Sequence, residues 1–193
     1  QPGKTRHVAV EYTGVVRDVT PGEAVHLWLT VPRYDASQTI RNLKLESPET
    51  YQVAASPDGN RMLHTVLKGA GSVRMSFEAE RREHRSLPSR EDVSRYLQPD
   101  RLVPLDGQIR AWAKEVVTAA KAKTDMEMAR AIYNHVVATV KYDKSGKGWG
   151  RGDIYYACDT RRGNCTDFHA IFIGYARAMG IPARFAIGYP IPR

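Results

Sequence analysis

The sequence predicts an α+β protein in which an antiparallel β-sandwich comes first and an α/β part with several helices follows. Three observations predict this fold class. Apolar residues alternate with polar ones up to about residue 86, they recur at helical spacing after Asp106, and a stretch with three prolines separates the two patterns. The predicted domains are therefore residues 1–86 and 108–193, and the predicted linker is residues 87–107.

The first domain follows from the alternation of apolar and polar residues. Val8, Val10 and Tyr12 would share one face of the first strand. Similar runs, separated by turn sequences, cover residues 25–31, 61–67 and 72–80. Short strands with no helical pattern between them are typical of a β-sandwich, so no helix longer than two turns is expected over residues 7–86. Trp28 and His64 fall on strand positions, where we expect packing rather than ligand binding.

The second domain begins with two amphipathic helices. The apolar face of the first consists of Ile109, Trp112, Ala113, Val116 and Val117. Thr124 and Glu127 have the spacing of a capping box, which predicts a second helix that ends near Val140. His135 lies inside that helix beside apolar neighbours and is interpreted as a core or boundary histidine. The glycine-rich loop at 145–153 lacks the residue order of a P-loop and predicts no phosphate site.

A third helix is predicted to begin at Cys165. Asn164 is a good N-cap residue, and Asp167 can reach back to the cap or favour the positive end of the helix. Gly180 has the place of a C′ residue, and the segment 183–189 after it is predicted to be a buried strand. The inward face of this helix would consist of Phe168, Phe172, Tyr175, Ala176 and Met179.

The place of Cys165 at a helix start indicates a chemical role for its thiol. The free N–H groups and the helix dipole stabilise a thiolate there, and the thiolate is the nucleophilic form. The same N–H groups, including that of Cys165, can stabilise an oxyanion when a carbonyl is attacked. The alternative is a small buried thiol without chemistry, since free cysteine is often buried.

Composition and charge exclude several classes of protein. Apolar residues make up 42% and charged residues 26% of the 193 residues, as in soluble globular proteins, and no apolar run approaches the roughly 20 residues that span a bilayer. The net charge is +8, but 29 basic residues are scattered among 21 acidic ones without an aromatic stripe, so no nucleic acid is expected as a partner. The two cysteines make neither a disulfide framework nor a cysteine-rich zinc site. The chain begins with Gln1, which fits a mature exported chain as well as a trimmed one, and we expect an extracytoplasmic (periplasmic or secreted) location.

The segment around Cys165 resembles a known family. RRGNCTDFHAIFIGYARAMGIPARFAIGYP (161–190), with YYACD (155–159) before it, is similar to the cysteine segment of bacterial members of the transglutaminase-like superfamily. The resemblance is strong over residues 125–193, and the first half is similar to the sandwich domain that precedes the core in such proteins.

The resemblance implies a papain-like core in which Cys165 is the nucleophile. It would form a thioester with the acyl group of a peptide or protein amide, and no metal or organic cofactor is implied. Hydrolysis, as in a peptidase or amidase, is favoured, with cross-linking of proteins as the other outcome. The alternative from another class is a non-catalytic binding or scaffold module that keeps the fold.

In this family the catalytic histidine and aspartate lie downstream of the cysteine. The sequence ends at Arg193 and has neither residue type after His169, so the expectation is a core that lacks its last strands and a chain that is inactive alone. His169 is a candidate substitute because i and i+4 share a helix face, but its position does not match the family's catalytic histidine. Four further histidines, in or beside the sandwich, are weaker candidates: His7, His26, His64 and His84.

Residues upstream of Cys165 supply the remaining candidates. Tyr155, Tyr156 and Trp149 are candidates for a second oxyanion donor or for the substrate cleft, by their nearness in sequence alone. Cys158 is expected to be a packed thiol in the segment leading to the site. A disulfide between Cys158 and Cys165, which would block the nucleophile, is the alternative.

Overall fold

The computed structural model describes residues 3–57, 59–83 and 92–189. The chain divides into two compact units, Gln1–Pro88 and Ser89–Arg193. Much of the predicted linker therefore packs within the second unit. Val103 is buried in the core of that unit, and the carbonyl of Leu102 accepts a hydrogen bond from the N–H of Ile154. The gain from burying Val103 explains why this stretch is not a free connector.

Six strands make up the described part of the first unit. They are β1 (Thr5–Val16), β2 (Ala24–Val31), β3 (Gln38–Glu46), β4 (Tyr51–Ala55), β5 (Arg61–Lys68) and β6 (Gly71–Arg82). One sheet has the order β1-β6-β3 and the other β2-β5-β4, and all neighbouring strands are antiparallel. The described residues of this unit contain no helix, so the predicted all-strand domain is confirmed.

The two sheets share one apolar core. Leu29 and Leu63 enter it from one sheet, and Val73 and Met75 enter it from the other. These residues occupy alternate positions along their strands, as the period of two predicts. Two sheets with their inner faces packed together form a sandwich, which confirms the predicted architecture.

The described part of the second unit is mainly helical. After a short 3₁₀ turn at Ser94–Leu97 its elements are α1 (Gly107–Ala119), α2 (Asp125–Thr139), β7 (Lys141–Tyr142), α3 (Ile154–Thr160), β8 (Arg162–Gly163) and α4 (Cys165–Ala178). β7 and β8 form a short parallel pair. The four helices bury a common core that includes Ile109, Ile132, Ile154 and Ile171.

Polar caps fix the starts of the helices. At α1 the carboxylate of Asp106 accepts from the N–H groups of Gln108 and Ile109, both at 3.1 Å. At α2, Thr124 and Glu127 form the predicted capping box. Both caps are local in sequence, so both helix starts follow directly from the residues present.

Two features of the second unit differ from the sequence-based predictions. The segment 183–189 is not a strand, and Ile187 within it is 80% exposed. A strand needs a neighbouring strand to satisfy its backbone, and none pairs with this segment in the described part of the chain. The sequence also did not predict α3, which carries Cys158. Over the described residues, no helix combines the length and apolar character needed to cross a membrane.

Candidate active site

Cys165 is the first residue of α4, as predicted. Asn164 is its N-cap, and the Asn164 side chain accepts from the N–H of Thr166 at 2.9 Å. The thiol of Cys165 is free and the residue is exposed. A thiol in this position faces the positive end of the helix and is accessible to a substrate.

The N–H groups of the first turn of α4 are engaged, except at Cys165. The N–H of Asn164 donates to the Asp167 carboxylate at 2.9 Å, that of Thr166 donates to Asn164, and those of Asp167 and Phe168 donate to the Asn164 carbonyl at 3.1 and 3.2 Å. Among the described residues, no acceptor is found for the N–H of Cys165 itself. The turn therefore leaves one backbone donor free, beside the thiol.

Asp167 is fully buried, with 0% of its surface exposed. Its carboxylate completes the capping box with Asn164, and it also accepts from the N–H groups of Gly150 at 2.7 Å and Gly152 at 3.3 Å. A buried carboxylate needs several donors to offset the loss of water, and three backbone N–H groups supply them.

The glycine-rich loop crosses the start of α4. A side chain at Gly150, whose φ is +82°, would come within 3.1 Å of the Asn164 amide. A side chain at Gly163 would overlap the Asp167 carboxylate. Gly163 leaves no room for a Cβ, and Gly150 combines a left-handed φ that favours glycine with little room beside Asn164.

His169 lies one turn after Cys165 on α4. Its Nδ1 is 2.6 Å from the Cys165 carbonyl oxygen, so Nδ1 carries the hydrogen and donates along the helix. The ring also makes an edge contact with Phe185, with ring centroids 4.7 Å apart. In the described part of the second unit, no imidazole is hydrogen-bonded to the Cys165 sulfur. The structure thus places His169 near the nucleophile without joining the two side chains.

The histidines predicted in or beside the sandwich belong to the first unit. His26 and His64 lie on the exposed face of the sandwich, with ring nitrogens 2.9 Å apart, and His64 stacks on Trp28 with ring centroids 4.0 Å apart. His7 is an exposed residue of β1, and His84 lies outside the described residues.

His135 contacts a different part of the second unit. It lines a cavity of about 520 Å³ together with Cys158 and Tyr175, and its ring lies 5.9 Å from that of Tyr175. Burial lowers the pKa of His135. It is half-buried at the boundary of the core, as the sequence predicted.

Cys158 is a packed thiol, as expected, and is not bonded to Cys165. Its sulfur lies 3.6 Å from the hydroxyl oxygen of Tyr175. Burial raises the pKa of the Cys158 thiol. The two thiols therefore differ in exposure: Cys165 is open to solvent and Cys158 is partly enclosed.

The aromatic candidates upstream of Cys165 have three different environments. The hydroxyl of Tyr155 donates to Asp106 at 2.6 Å, a bond that raises the pKa of Tyr155 to about 12. The hydroxyl of Tyr156 is buried and finds no partner in the described part of the chain. Trp149 is half-buried in the glycine-rich loop, with the Lys144 amine 5.9 Å from its ring centroid. Only Tyr156 thus retains an unengaged hydroxyl.

Residues that could hold a metal are not clustered in the part of the chain that the structure describes. In the described ranges, no group of three or more His, Cys, Asp or Glu side chains has the arrangement of a metal site.

Sequence reasoning missed part of this site. It assigned Asp167 to the helix cap and did not predict the bonds from Gly150 and Gly152, which are 17 and 15 residues away in sequence. The available signal was the four glycines of the loop at 145–153, since glycines cluster where backbone approaches another segment closely.

Comparisons with known proteins show what this chain is similar to. Residues 110–193 match the family model of the transglutaminase-like superfamily. An uncharacterized protein of Haemophilus influenzae is 31% identical over 99 residues, which are 50% of this chain and 26% of that protein. A crystal structure from Cytophaga hutchinsonii, described as a "putative cysteine protease", has the same fold with a TM-score of 0.71 and 18% identity. It is matched over 94% of this chain and 65% of its own, so this chain spans only part of either relative.

Proposed function

We propose that the transglutaminase-like domain at residues 110–193 is the catalytic part of a thiol enzyme that acts on amide bonds of peptides or proteins through Cys165. The observation that carries the proposal is the first turn of α4. It presents an exposed thiol and, among the described residues, a single N–H without an acceptor, both on Cys165. A nucleophile and an oxyanion donor on one residue are what acyl transfer requires.

The reaction would proceed in two steps. The Cys165 sulfur bonds to the carbonyl carbon of the substrate, and the Cys165 N–H stabilises the negative oxygen of the tetrahedral intermediate. The C–N bond then breaks, the amine leaves with the proton that the Cys165 thiol gave up, and a thioester remains on Cys165. Water attacks the thioester, which releases a carboxylic acid and regenerates the thiol. If a primary amine attacks instead, an amide forms and the reaction is cross-linking. We favour hydrolysis.

The leaving amine needs a proton, and this requirement limits the activity of the 193-residue chain. His169 uses Nδ1 on the Cys165 carbonyl, and in the described part of the second unit no imidazole is hydrogen-bonded to the Cys165 sulfur. We therefore expect the chain alone to react with small electrophiles but to turn over peptide amides poorly. Loss of one member of a catalytic triad typically lowers the rate by several orders of magnitude.

The lack of an imidazole bonded to the Cys165 sulfur, in the described part of the second unit, favours a second function of another class. A domain that keeps the fold but holds no base beside its thiol would serve as a binding or scaffold module. In both cases the proposed partner is a peptide or protein rather than a nucleic acid, and the proposed location is extracytoplasmic.

A peptide thioester distinguishes these functions. An acyl thioester transfers its acyl group to a thiolate without needing a proton for an amine, so it tests the nucleophile apart from the missing base. We expect mass spectrometry to find the acyl group on Cys165, and Cys165→Ala to remove it. Incubation in a buffer without amines then shows whether the acyl group is hydrolysed. Incubation with a primary amine shows whether it is transferred to the amine. A Cys165 that acquires no acyl group would support the scaffold function instead.

A further inference from the structure

The glycine-rich loop at 145–153 has no role in the reaction as described above. It lies between β7 and α3, and it contains Trp149. Its residues contact both neighbours of the nucleophile. A Cβ at Gly150 would lie 3.1 Å from the Asn164 amide, and one at Gly152 would lie 3.0 Å from the Thr166 methyl. The loop therefore borders Cys165 on both sides along the chain.

The loop is held there by hydrogen bonds to the side chain of Asp167. The Asp167 carboxylate accepts from Gly150 at 2.7 Å and from Gly152 at 3.3 Å, in addition to the bond from Asn164 that completes the helix cap. Capping alone requires only the bond from Asn164. The two bonds to the loop join a segment that is distant in sequence to the turn that carries the nucleophile.

The contact between the loop and the first turn of α4 requires the carboxyl group of Asp167. Three N–H donors converge on it, two at Oδ2 and one at Oδ1, so both oxygens of the side chain accept hydrogen bonds. An asparagine would present one oxygen and one NH₂ group, so at least one buried N–H would face another donor. An unsatisfied buried N–H is costly, so the loop would move away.

We propose that Asp167 is a positioning residue, which fixes the loop at 145–153 against the first turn of α4 so that the loop forms one wall of the cleft for a peptide substrate. This inference rests on the proposed function, because it assigns the surface beside the proposed nucleophile that a peptide substrate would contact. Asp167 does not touch the reacting atoms. It acts by setting the position of Gly150 and, through the chain, of Trp149.

The test compares Asp167→Asn with a matched control, Glu127→Gln. Glu127 is the corresponding capping-box acid of α2, and its carboxylate accepts only from its own helix start, at Lys123 and Thr124. Both variants weaken a helix cap, but only Asp167→Asn releases the loop. Circular dichroism checks that each variant of the 193-residue chain is folded.

Two rates are measured at Cys165 by mass spectrometry, with iodoacetamide as a small electrophile and with a peptidyl chloromethyl ketone as a large one. We expect Asp167→Asn to slow the peptide reagent at least about tenfold relative to iodoacetamide, because the cleft wall is displaced. Glu127→Gln should leave this ratio unchanged. An unchanged ratio in Asp167→Asn would overturn the proposal and leave Asp167 as a helix cap.

The rate at which trypsin cleaves the loop is a third measurement, and it is independent of any chemistry at Cys165. Lys147 and Arg151 are exposed residues of the loop and are trypsin sites. We expect cleavage at these sites to be at least about tenfold faster in Asp167→Asn than in Glu127→Gln. If the native chain does not react with the peptide reagent at all, the proposed function fails, while the trypsin rates still decide whether Asp167 holds the loop.

A second variant covers the case in which Asp167→Asn does not fold. Gly150→Ala introduces a methyl group against the Asn164 amide and leaves the carboxylate in place. Its control is Gly22→Ala, which has a similar positive φ of +85° but no neighbour within 4 Å. We expect only Gly150→Ala to change the ratio of the two reagents. Equal ratios in both variants would contradict the placement of the loop at the cleft.

Discussion

The two cysteines of this chain show how environment decides the reactivity of one chemical group. Cys165 is exposed at a helix start, where a reagent can reach its thiol. Cys158 packs beside Tyr175, and burial raises the pKa of its thiol. Since the thiolate is the species that reacts, the two residues should be alkylated at different rates.

We predict that iodoacetamide modifies Cys165 well before Cys158 at neutral pH. Because the pKa of Cys158 is raised, its thiolate forms only at more alkaline pH, so its modification rate should rise as the pH increases. Peptide mapping by mass spectrometry at several pH values measures both rates. Cys158→Ser serves as the control and should leave the Cys165 rate unchanged. Equal rates for the two thiols at pH 7 would contradict the difference in exposure.

Replacement of His169 should have only a small effect on the reactivity of Cys165. His169→Ala removes the bond from Nδ1 to the Cys165 carbonyl and the contact with Phe185, but no bond to the sulfur. We therefore expect the rate of Cys165 alkylation to change by less than about fivefold, since a single exposed hydrogen bond contributes about 1 kcal/mol or less. A hundredfold loss would identify His169 as the base.

At the scale of elements, α2 should make stability depend on pH. Burial lowers the pKa of His135, so the folded protein binds its proton less readily than the unfolded chain does. Between the ordinary histidine pKa of about 6.5 and the lower value of the folded state, the unfolded chain holds more protons, so stability falls as the pH falls. Thermal melts over this range should show the decrease. His135→Gln should reduce it, and a melting temperature with the same pH dependence in both proteins would show that other groups cause it.

The contact between β8 and α4 gives a second prediction at this scale. Gly163→Ala places a methyl group on the Asp167 carboxylate, which is buried and cannot move without breaking its bonds. We expect a loss of about 1–3 kcal/mol in the free energy of unfolding, as for other overpacked sites. Gly180→Ala is the comparison, because Gly180 has a φ of +81° and no neighbour within 4 Å, so it carries backbone strain alone. Denaturant unfolding should therefore rank Gly163→Ala as the more damaging substitution.

The elements that the sequence predicted well are those determined by neighbouring residues. The capping boxes at Thr124 and Asn164 involve side chains three positions apart, so the starts of α2 and α4 could be identified from spacing. β3 was not predicted because its alternation is interrupted by a bulge near Asn42, whose φ is +52°. The segment 183–189 has an apolar strand-like composition, but strand formation depends on a partner that local sequence does not reveal.

In the candidate site, too, the features determined by neighbouring residues could be predicted, and the contacts between distant segments could not. The place of Cys165 at a helix start follows from Asn164, which is adjacent in sequence. The bonds from Gly150 and Gly152 to Asp167 depend on the path of a loop, and no period or cap in the sequence fixes that path. Similarly, Tyr155 was a candidate for the oxyanion site, whereas its hydroxyl is bonded to Asp106, 49 residues away. Contacts between distant segments required the structure.

At the scale of the whole molecule, the two units have separate cores. Leu63 is fully buried between the sheets of the first unit, and Ile132 is fully buried among the helices of the second. Truncation of either side chain leaves a cavity in one core only. The partly enclosed thiol of Cys158 belongs to the second unit, so its exposure to reagent reports the unfolding of that unit.

We predict that Ile132→Ala lowers the urea concentration at which Cys158 becomes reactive, whereas Leu63→Ala has a much smaller effect on it. Each substitution should cost about 2–5 kcal/mol in the unit that contains it, as truncation of a buried aliphatic side chain does. Alkylation of Cys158 at a series of urea concentrations measures the second unit, and far-ultraviolet circular dichroism follows the whole chain. Leu63→Ala should therefore shift part of the dichroism transition while the Cys158 transition stays in place. If Leu63→Ala and Ile132→Ala shift the Cys158 transition equally, the chain unfolds as one cooperative body, and the thiol of the second unit depends on the sandwich for its protection.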